Sequence, residues 1–409
     1  MLTEQKPRTT PGVYLEQIFP APSPELITGV PAFLGVTVAK NAEPQDANQP
    51  KLLKLWPQFE QFFVQASSGS YLAHAVRGFF ANGGRLCYVV PLQEAKKEAL
   101  EQGLAAIESR QKAEKEALEQ GLAAIESLDT IDLVCAPDIM IRSSESQWVE
   151  EMQKLVLKHC DKMGDRFAIL DSLPNKQEIT KQRHGLQSNN GALYFPWIKV
   201  LDPATPTPKL IEVPPCGHIA GIYAQSDRTY GFPQTPANYP LEGVLDLSVS
   251  LSSDEQNALN PKNNSNEPPS INCLRVFKGR GIRIWGGRTL SQNPDWQYIN
   301  VRRLFLTVLR WIERNLEDVV FEPNDFKLWV RIERELTTYL ESLLRKGALQ
   351  GRTPQEAFYI KCDSETNPPE MRDIGTVVTE IGLAPTKPNE FIVVRLIHGT
   401  AGVNSTTQP

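Results

Sequence analysis

The chain lacks the patterns on which most protein chemistry depends. Its five histidines, at 74, 159, 184, 218 and 398, are scattered, with no HExxH and no pair at metal-ligand spacing. No GxSxG occurs, so there is no nucleophile elbow, and no GxxxxGK[ST] occurs, so there is no P-loop. His159 and Cys160 are adjacent, but neighbours on a helix do not face each other. Asp and Glu are numerous, and nothing singles out an acid–base pair. No catalytic residue, cofactor site or metal site is therefore assigned. The six cysteines, at 87, 135, 160, 216, 273 and 362, form no CxxC and sit mostly in apolar runs. They read as buried free thiols. No apolar run approaches the ~18 residues of a membrane-spanning helix, and MLTEQKPRTTPGVYLEQ has no signal-type apolar region. The expectation is synthesis in the cytoplasm without conventional export or membrane insertion. With 43 basic and 48 acidic residues, a net charge of −5 and a pI near 5.7, the chain does not resemble a nucleic-acid coat.

What is present is proline, strand-forming segments and length. Four of the 32 prolines, at 11, 20, 22 and 24, bracket TPGVYLEQIFPAPSP and exclude a helix there. Within it Val13, Leu15 and Gln17 alternate with Tyr14, Glu16 and Ile18, so residues 1–20 read as an extended arm bearing one strand. A lone strand cannot bury its faces and must join a sheet. GVPAFLGVTV and RLCYVVPL are continuous apolar runs of buried strands, and helical spacing lies between them over 58–82. DTIDLVCAPD, WVEEMQKLVLKHCDKM and DRFAILDSL extend this βαβ pattern, so 21–270 is expected to form an α/β body. Within 92–128, KEALEQGLAAIES occurs at 97–109 and again at 115–127. The 18-residue offset is five helical turns, so both copies keep one apolar face. A surface helix lengthened by duplication is the simple reading, and a coiled-coil partner site is the alternative. Gly103 and Gly121 weaken either. The polar stretch 254–270 is expected to mark a boundary, after which 271–409 forms an α+β domain. Its helices begin near Asn293-Pro294-Asp295 and Asn324-Asp325, and a strand or arm at 390–400 closes it.

GRGIRIWGGRTL, Gly279–Leu290, is the most unusual stretch. As a phosphate cradle it lacks the third glycine of GxGxxG and the helix that must follow. As a nucleic-acid grip it has Arg280, Arg283, Arg288, Arg302 and Arg303 near Trp285 and Trp296, but Glu313, Glu317, Asp318 and Glu322 follow closely. Arginine equally suits ion pairs between proteins. The glycines fit turns and close packing, and Ile282 and Ile284 one buried strand face. Arg280, Arg283 and Arg288 are then candidates for ion pairs, and Trp285 for a packing anchor.

Extended termini without chemistry point to assembly. An arm that leaves its own subunit can add a strand to a neighbour's sheet, and head-to-tail repetition of that contact builds an open helical array. Arms folded back on their own subunit are the other possibility. At this point the chain resembles the contractile tail sheath family of phages and related contractile injection systems. The likeness is carried by PGVYLEQI, GVPAFLGV, ALYFPWIKVLDP, VPPCGHIAGIYAQSDRTYGFPQTPAN and LNPKN. It continues through GRGIRIWGGRTLSQNPDWQYINVRRLF, VFEPND, GALQGRTPQEAFYIKCD and GLAPTKPNEFIVVRL, in order from about residue 11 to 397. Cys216 and the repeat depart from the family pattern.

The resemblance implies a non-enzymatic subunit of a helical sheath of stacked six-fold rings. Such a sheath surrounds an inner tube protein, with baseplate and terminal cap proteins at its ends, and contracts on energy stored in subunit packing. It implies assembly in a bacterial cytoplasm, and release or anchoring as part of a phage tail-like particle. It also implies that the arm strand Val13, Tyr14, Leu15, Glu16, Gln17 and Ile18 and the C-terminal strand Phe391, Ile392, Val393, Val394, Arg395 and Leu396 join a neighbour's C-terminal sheet. Arg345 and Lys346, the basic end of ERELTTYLESLLRK, are the candidates for facing the tube. A non-contractile polymeric shell, or a nucleic-acid- or ligand-binding α/β protein, is the alternative.

Overall fold

A computed structural model describes residues 26–40, 48–64, 69–92, 104–202, 209–261 and 268–390. Strand β1 (Pro31–Val36) is buried along nearly its whole length. Its PAFLGV run does not alternate because Phe33 faces one helical layer while Ala32 and Leu34 face the other. There follow β2 (Val38–Ala39), β3 (Lys51–Leu53), α1 (Pro57–Phe62), β4 (Phe63–Val64), α2 (Leu72–Ala81) and β5 (Cys87–Leu92). Helices α3 (Leu104–Ala124), α4 (Ser146–Met163) and α5 (Lys176–Gly185) alternate with strands β6 (Leu133–Cys135), β7 (Phe167–Asp171) and β8 (Gly191–Phe195). A ribbon of β9 (Ile198–Asp202) and β10 (Lys209–Val213) comes next, then α6 (Cys216–Tyr230), β11 (Asp246–Leu247) and α7 (Ser253–Leu259). The hairpin β12 (Asn272–Phe277) and β13 (Gly281–Trp285) precedes the long helices α8 (Ile299–Leu316) and α9 (Phe326–Lys346). The short elements α10 (Pro354–Ala357), β14 (Phe358–Lys361), α11 (Pro369–Asp373) and β15 (Glu380–Leu383) end the described part.

Eight strands form one sheet in the order β13-β12-β8-β7-β6-β1-β5-β3. The strands from β12 to β5 are parallel, and β13 and β3 close the two edges antiparallel. Helices α2 and α6 cover one face, and α3, α4 and α5 cover the other. The α/β reading of the body thus holds, and the chain as a whole is α/β with an added α+β part.

The expected boundary falls elsewhere. Ser252 and Glu255 form a reciprocal capping box that starts α7 inside the polar stretch, and β12 then pairs parallel with β8. A cut at 271 would divide the large sheet. The pairing of Asn272 with Tyr194 is too remote in sequence for local composition to reveal.

Two expected helix starts also differ from each other. Asp325 caps α9, accepting from the N–H groups of Lys327 and Leu328. Asn293 caps only a 3-10 turn at Pro294–Trp296, and α8 begins later, at Ile299. The repeat is not merely a surface feature. Leu118, Leu122 and Ile125 of the second copy are core residues, and Gly121 is where α3 meets the sheet. The first seven residues of the first copy lie outside the described residues.

Helix α8 joins the two parts. Ile299 and Leu306 pack into the body, while Leu304 and Val308 pack against Leu340 and Leu343 of α9. Between them Arg303, 2% exposed, donates through Nη1 and Nη2 to both carboxylate oxygens of Asp227, at 2.9 and 2.6 Å. Its Nη2 also reaches Asp132 Oδ2 at 2.9 Å, and its guanidinium lies 4.8 Å from the Tyr223 ring centroid. Asp132 in turn accepts from the N–H groups of Gly29 and Val30. Two carboxylates hold Arg303 charged despite burial, and its pKa is raised. Removing one member of such a network strands the others in low dielectric. Arg303→Met should therefore lower stability by about 3–5 kcal/mol in urea unfolding, and adding Asp227→Asn should recover part of the loss.

A second buried group gives the body a pH dependence. His218 on α6 lies so close to α2 that a Cβ on Gly78 would stand 2.3 Å from its ring. Burial lowers its pKa to about 4, and His74 pushes the same way. Burial, and then Arg166, lowers His159 to about 4 as well. Both folded pKa values lie below the unfolded one. The stability these neutral imidazoles contribute is thus complete above about pH 6.5 and is lost as pH falls toward 4. His218→Gln should reduce the loss of stability between those limits by on the order of 2–3 kcal/mol relative to wild type, read from urea midpoints across pH.

Candidate subunit-joining site

Strands β14 and β15 form a separate two-stranded antiparallel sheet, with Phe358 opposite Leu383 and Ile360 opposite Ile381. Those four side chains face the clusters built on α9. On the other face Tyr359, 60% exposed, lies across Gly382, where a Cβ would stand 2.0 Å from its ring. Only glycine leaves room for the ring. Among the described residues no third strand pairs with either member, so both outer edges present backbone groups without a strand partner.

Beyond β15 the chain is tied down residue by residue. The Ala384 N–H donates to Ala357 O at 2.8 Å, Thr386 N–H to Ala348 O at 3.0 Å, and Asn300 Nδ2 to Thr386 O at 2.8 Å. The run ends at Glu390, whose carboxylate receives Arg288 in a two-pronged ion pair, Nε to Oε1 at 2.9 Å and Nη2 to Oε2. Arg288 is 4% exposed, and its Nη1 donates to Pro261 O at 2.7 Å. Asn272 fixes the backbone here: its Oδ1 accepts from Arg288 N and its Nδ2 donates to Arg288 O. Bidentate charge-assisted pairing of this kind fixes position as well as energy. The clamp holds the residue directly before Phe391.

The remaining sequence candidates have separate fates. Val13–Ile18 and Phe391–Leu396 lie outside the described residues. Ile282 and Ile284 are buried, as the period-2 pattern requires, and Arg283 and Trp285 point away. Arg283 Nε donates to Arg280 O, and its Nη1 donates to Asn238 O. Arg280 lies over the Phe277 ring at 5.9 Å, and Trp285 packs on the same ring at 4.6 Å. The β13 edge is covered by the segment 238–241, through Asn238 N–H to Ile284 O and Leu241 N–H to Ile282 O. This hairpin is therefore not an open edge. Gly286 and Gly287 pass close to Asn272 and Thr235, leaving no space for a side chain. Of the basic cluster, Arg288 and Arg303 are buried on carboxylates, while Arg302 donates to Asn190 and stacks on Trp296 at 4.7 Å. Cations so engaged are not displayed for a nucleic-acid backbone. Arg345 and Lys346 end α9, with Lys346 Nζ 3.3 Å from Gly231 O at the end of α6.

Sequence reasoning missed Glu390, because its partner lies 102 positions away and one acidic residue near a chain end carries no signal. Gly382 could have been found: a glycine inside a strand marks a close approach. All six cysteines are free and buried. Among the described residues no cluster of His, Cys, Asp and Glu is placed to hold a metal ion, and no helix is long and apolar enough to cross a membrane. Glu390→Ala leaves the Arg288 guanidinium with the Pro261 carbonyl and the Ser270 hydroxyl, both neutral, and should cost about 1.5–3 kcal/mol in urea unfolding. Glu390→Asp should recover little, since the shorter acid cannot span both nitrogens.

Comparison with known proteins accounts for this architecture. The model of the phage tail sheath protein central domain matches residues 111–290, and that of the phage tail sheath C-terminal domain matches 291–397. The two meet directly after GRGIRIWGGRTL, on the same side of it as the large sheet requires. The putative prophage major tail sheath protein of Pseudomonas aeruginosa (strain UCBPP-PA14) is 25% identical over 247 residues, 58% of this chain and 60% of that protein. The tail sheath protein of Vibrio phage KVP40 is 28% identical over 189 residues, 45% of this chain. The chain spans 26% of the length of the phage protein and 60% of the prophage one. A chain in the cryo-EM structure of the anti-feeding prophage baseplate superposes with a TM-score of 0.72 at 28% identity, covering 96% of this chain and 100% of that one. A chain of the PVC extracellular contractile injection system sheath complex, in its contracted state, gives 0.72 at 26% identity, with 97% and 99% covered. With both sheath domains in sequence order on a fold shared with those assemblies, the chain belongs to the phage tail sheath protein family.

Proposed function

We propose that this chain is the structural subunit of a contractile sheath, stacked as six-fold rings around an inner tube protein. It assembles in a bacterial cytoplasm and is bounded by baseplate and terminal cap proteins. Contraction drives the tube through a target envelope on energy stored in subunit packing, with no enzymatic step. The observation that carries this reading is the β14–β15 sheet, to which no third strand is added among the described residues, in a chain whose two termini carry strand-type sequence patterns. The arm strand Val13–Ile18 takes one edge of a neighbour and Phe391–Leu396 takes an edge of another, by β-augmentation. Such a contact is head-to-tail and builds an open array. The likeness to sheath chains from contracted and baseplate assemblies supports the same reading.

The mesh requires a firm origin for each arm. The Arg288–Glu390 clamp supplies it, so that force on the C-terminal strand passes into the large sheet rather than peeling the chain from β15. On this reading Arg345 and Lys346, exposed at the end of α9, face the tube.

Under negative stain the purified chain should form hollow striated tubes. A chain lacking residues 1–18 should keep the circular dichroism of the full chain yet remain monomeric; normal tubes from it would sink the mesh. Reversing the charge of Arg345 and Lys346 together should weaken attachment to the tube while sheath polymers still form. Unchanged co-sedimentation with the tube would place the contact elsewhere.

A further inference from the structure

Among the described residues the most exposed large apolar side chain is Phe321, at 101%. It lies in the turn between α8 and α9 with φ at +75°, a left-handed conformation that an aromatic residue rarely adopts. Val320 before it is 58% exposed, and Phe326, the first residue of α9, is 72% exposed. A strained conformation persists only where its surroundings hold it. Here Asn324 braces the turn, donating through Nδ2 to Thr376 O at 2.9 Å and accepting from Trp329 Nε1 at 2.8 Å. The turn is also acidic. Residues 317–325 read EDVVFEPND, four acids and no base, and Arg331, which pairs with Asp318 and Glu322, offsets one of them.

A surface that complements this turn lies beside the β12–β13 hairpin. A cavity of about 350 Å³ sits between β11 and β12, with apolar surface from Leu247, Leu251, Leu274 and Val276. An apolar cavity of about 150 Å³ already takes a benzene ring. Val276 is 60% exposed. Lys199 and Asp246, 3.8 Å apart in the same cavity, offset each other. Ser248 lines it as well, and its buried Oγ has no hydrogen-bond partner, so it can donate to an incoming backbone carbonyl. The hairpin is as one-sided in charge as the turn, with the opposite sign. Residues 271–285 carry Arg275, Lys278, Arg280 and Arg283 and no acid. Among the described residues none of the four forms an ion pair. Arg275 donates to Gln256, Arg283 to backbone carbonyls, and Arg280 lies over the Phe277 ring.

We propose that the α8–α9 turn of one subunit docks on the β11–β12 cavity of a second copy, with the Phe321 ring inserted and the acids of the turn facing the cations of the hairpin. Opposite charge selects this partner and orients it, and the buried ring supplies the anchor. The two surfaces belong to different parts of the chain, so the contact is heterologous and builds a ring or an open array. The inference rests on the polymeric reading above and adds a contact that strand exchange does not contain. It also gives the free cations of the GRGIRIWGG segment a role across a subunit boundary.

The test uses the full chain. Phe321→Asp should keep the wild-type urea midpoint, since the side chain it replaces is fully exposed and Asp tolerates the left-handed conformation better. It should nonetheless raise the concentration needed for tube assembly by about 30-fold or more, as loss of an interface anchor does. Phe321→Leu should recover most of that loss. Phe321→Cys chains mixed with Val276→Cys chains before assembly should give disulfide-linked dimers on mild oxidation, joined at those two positions, and neither variant alone should give them. If the wild-type chain makes no tubes, the sheath reading fails and this contact fails with it. Two results would overturn the contact alone while wild-type tubes form: an unchanged assembly concentration for Phe321→Asp, or a Phe321→Cys chain that cross-links to the tube protein and not to Val276→Cys.

Discussion

Arg303 is the residue on which the two parts of the subunit depend. It projects from α8 into the body and meets carboxylates from α6 and from the turn before β6. One of those carboxylates also holds the backbone entering β1. A single buried cation therefore ties together the central strand, a covering helix and the helix that leads to the joining region. Such a network adds little net stability over an apolar core of equal volume, but it tolerates only one arrangement of its members. For the sheath subunit proposed above, a fixed angle between body and joint would be the more useful property.

The same economy recurs at the other end of the chain. The loop after β13 brings Arg288 to Glu390, and the contacts of residues 384–386 with α8 and with the segment after α9 seat the chain up to that point. The large sheet protects its own edge at β13 with the 238–241 segment, whereas among the described residues no third strand joins the small β14–β15 sheet. Open edges are a liability unless something fills them. The strand exchange proposed above would fill them.

The sequence was informative wherever neighbours along the chain decide the outcome. Continuous apolar runs announced β1 and β5, period-2 alternation announced the inward Ile282 and Ile284, and Asp325 announced α9. It was silent where distant residues meet. Nothing local in LNPKN or INCLRVF shows that β12 returns to pair with β8. The arginines near Trp285 looked like one basic surface, yet Arg288 and Arg303 are buried on acids more than seventy positions away. Gly121 looked like a weakness in a surface helix and is in fact a contact point with the sheet.

By itself the sequence determined the class of the body, the absence of motif-borne chemistry, and, through resemblance, the family. It did so because strand and helix periodicity are local, and because motif order survives where single residues vary. Only the tertiary structure decided which acids the arginines meet, which strands pair in each sheet, and that the second copy of the repeat packs against the large one. Those outcomes depend on long-range pairing and on close approach of backbones, and a linear chain carries neither until it has folded.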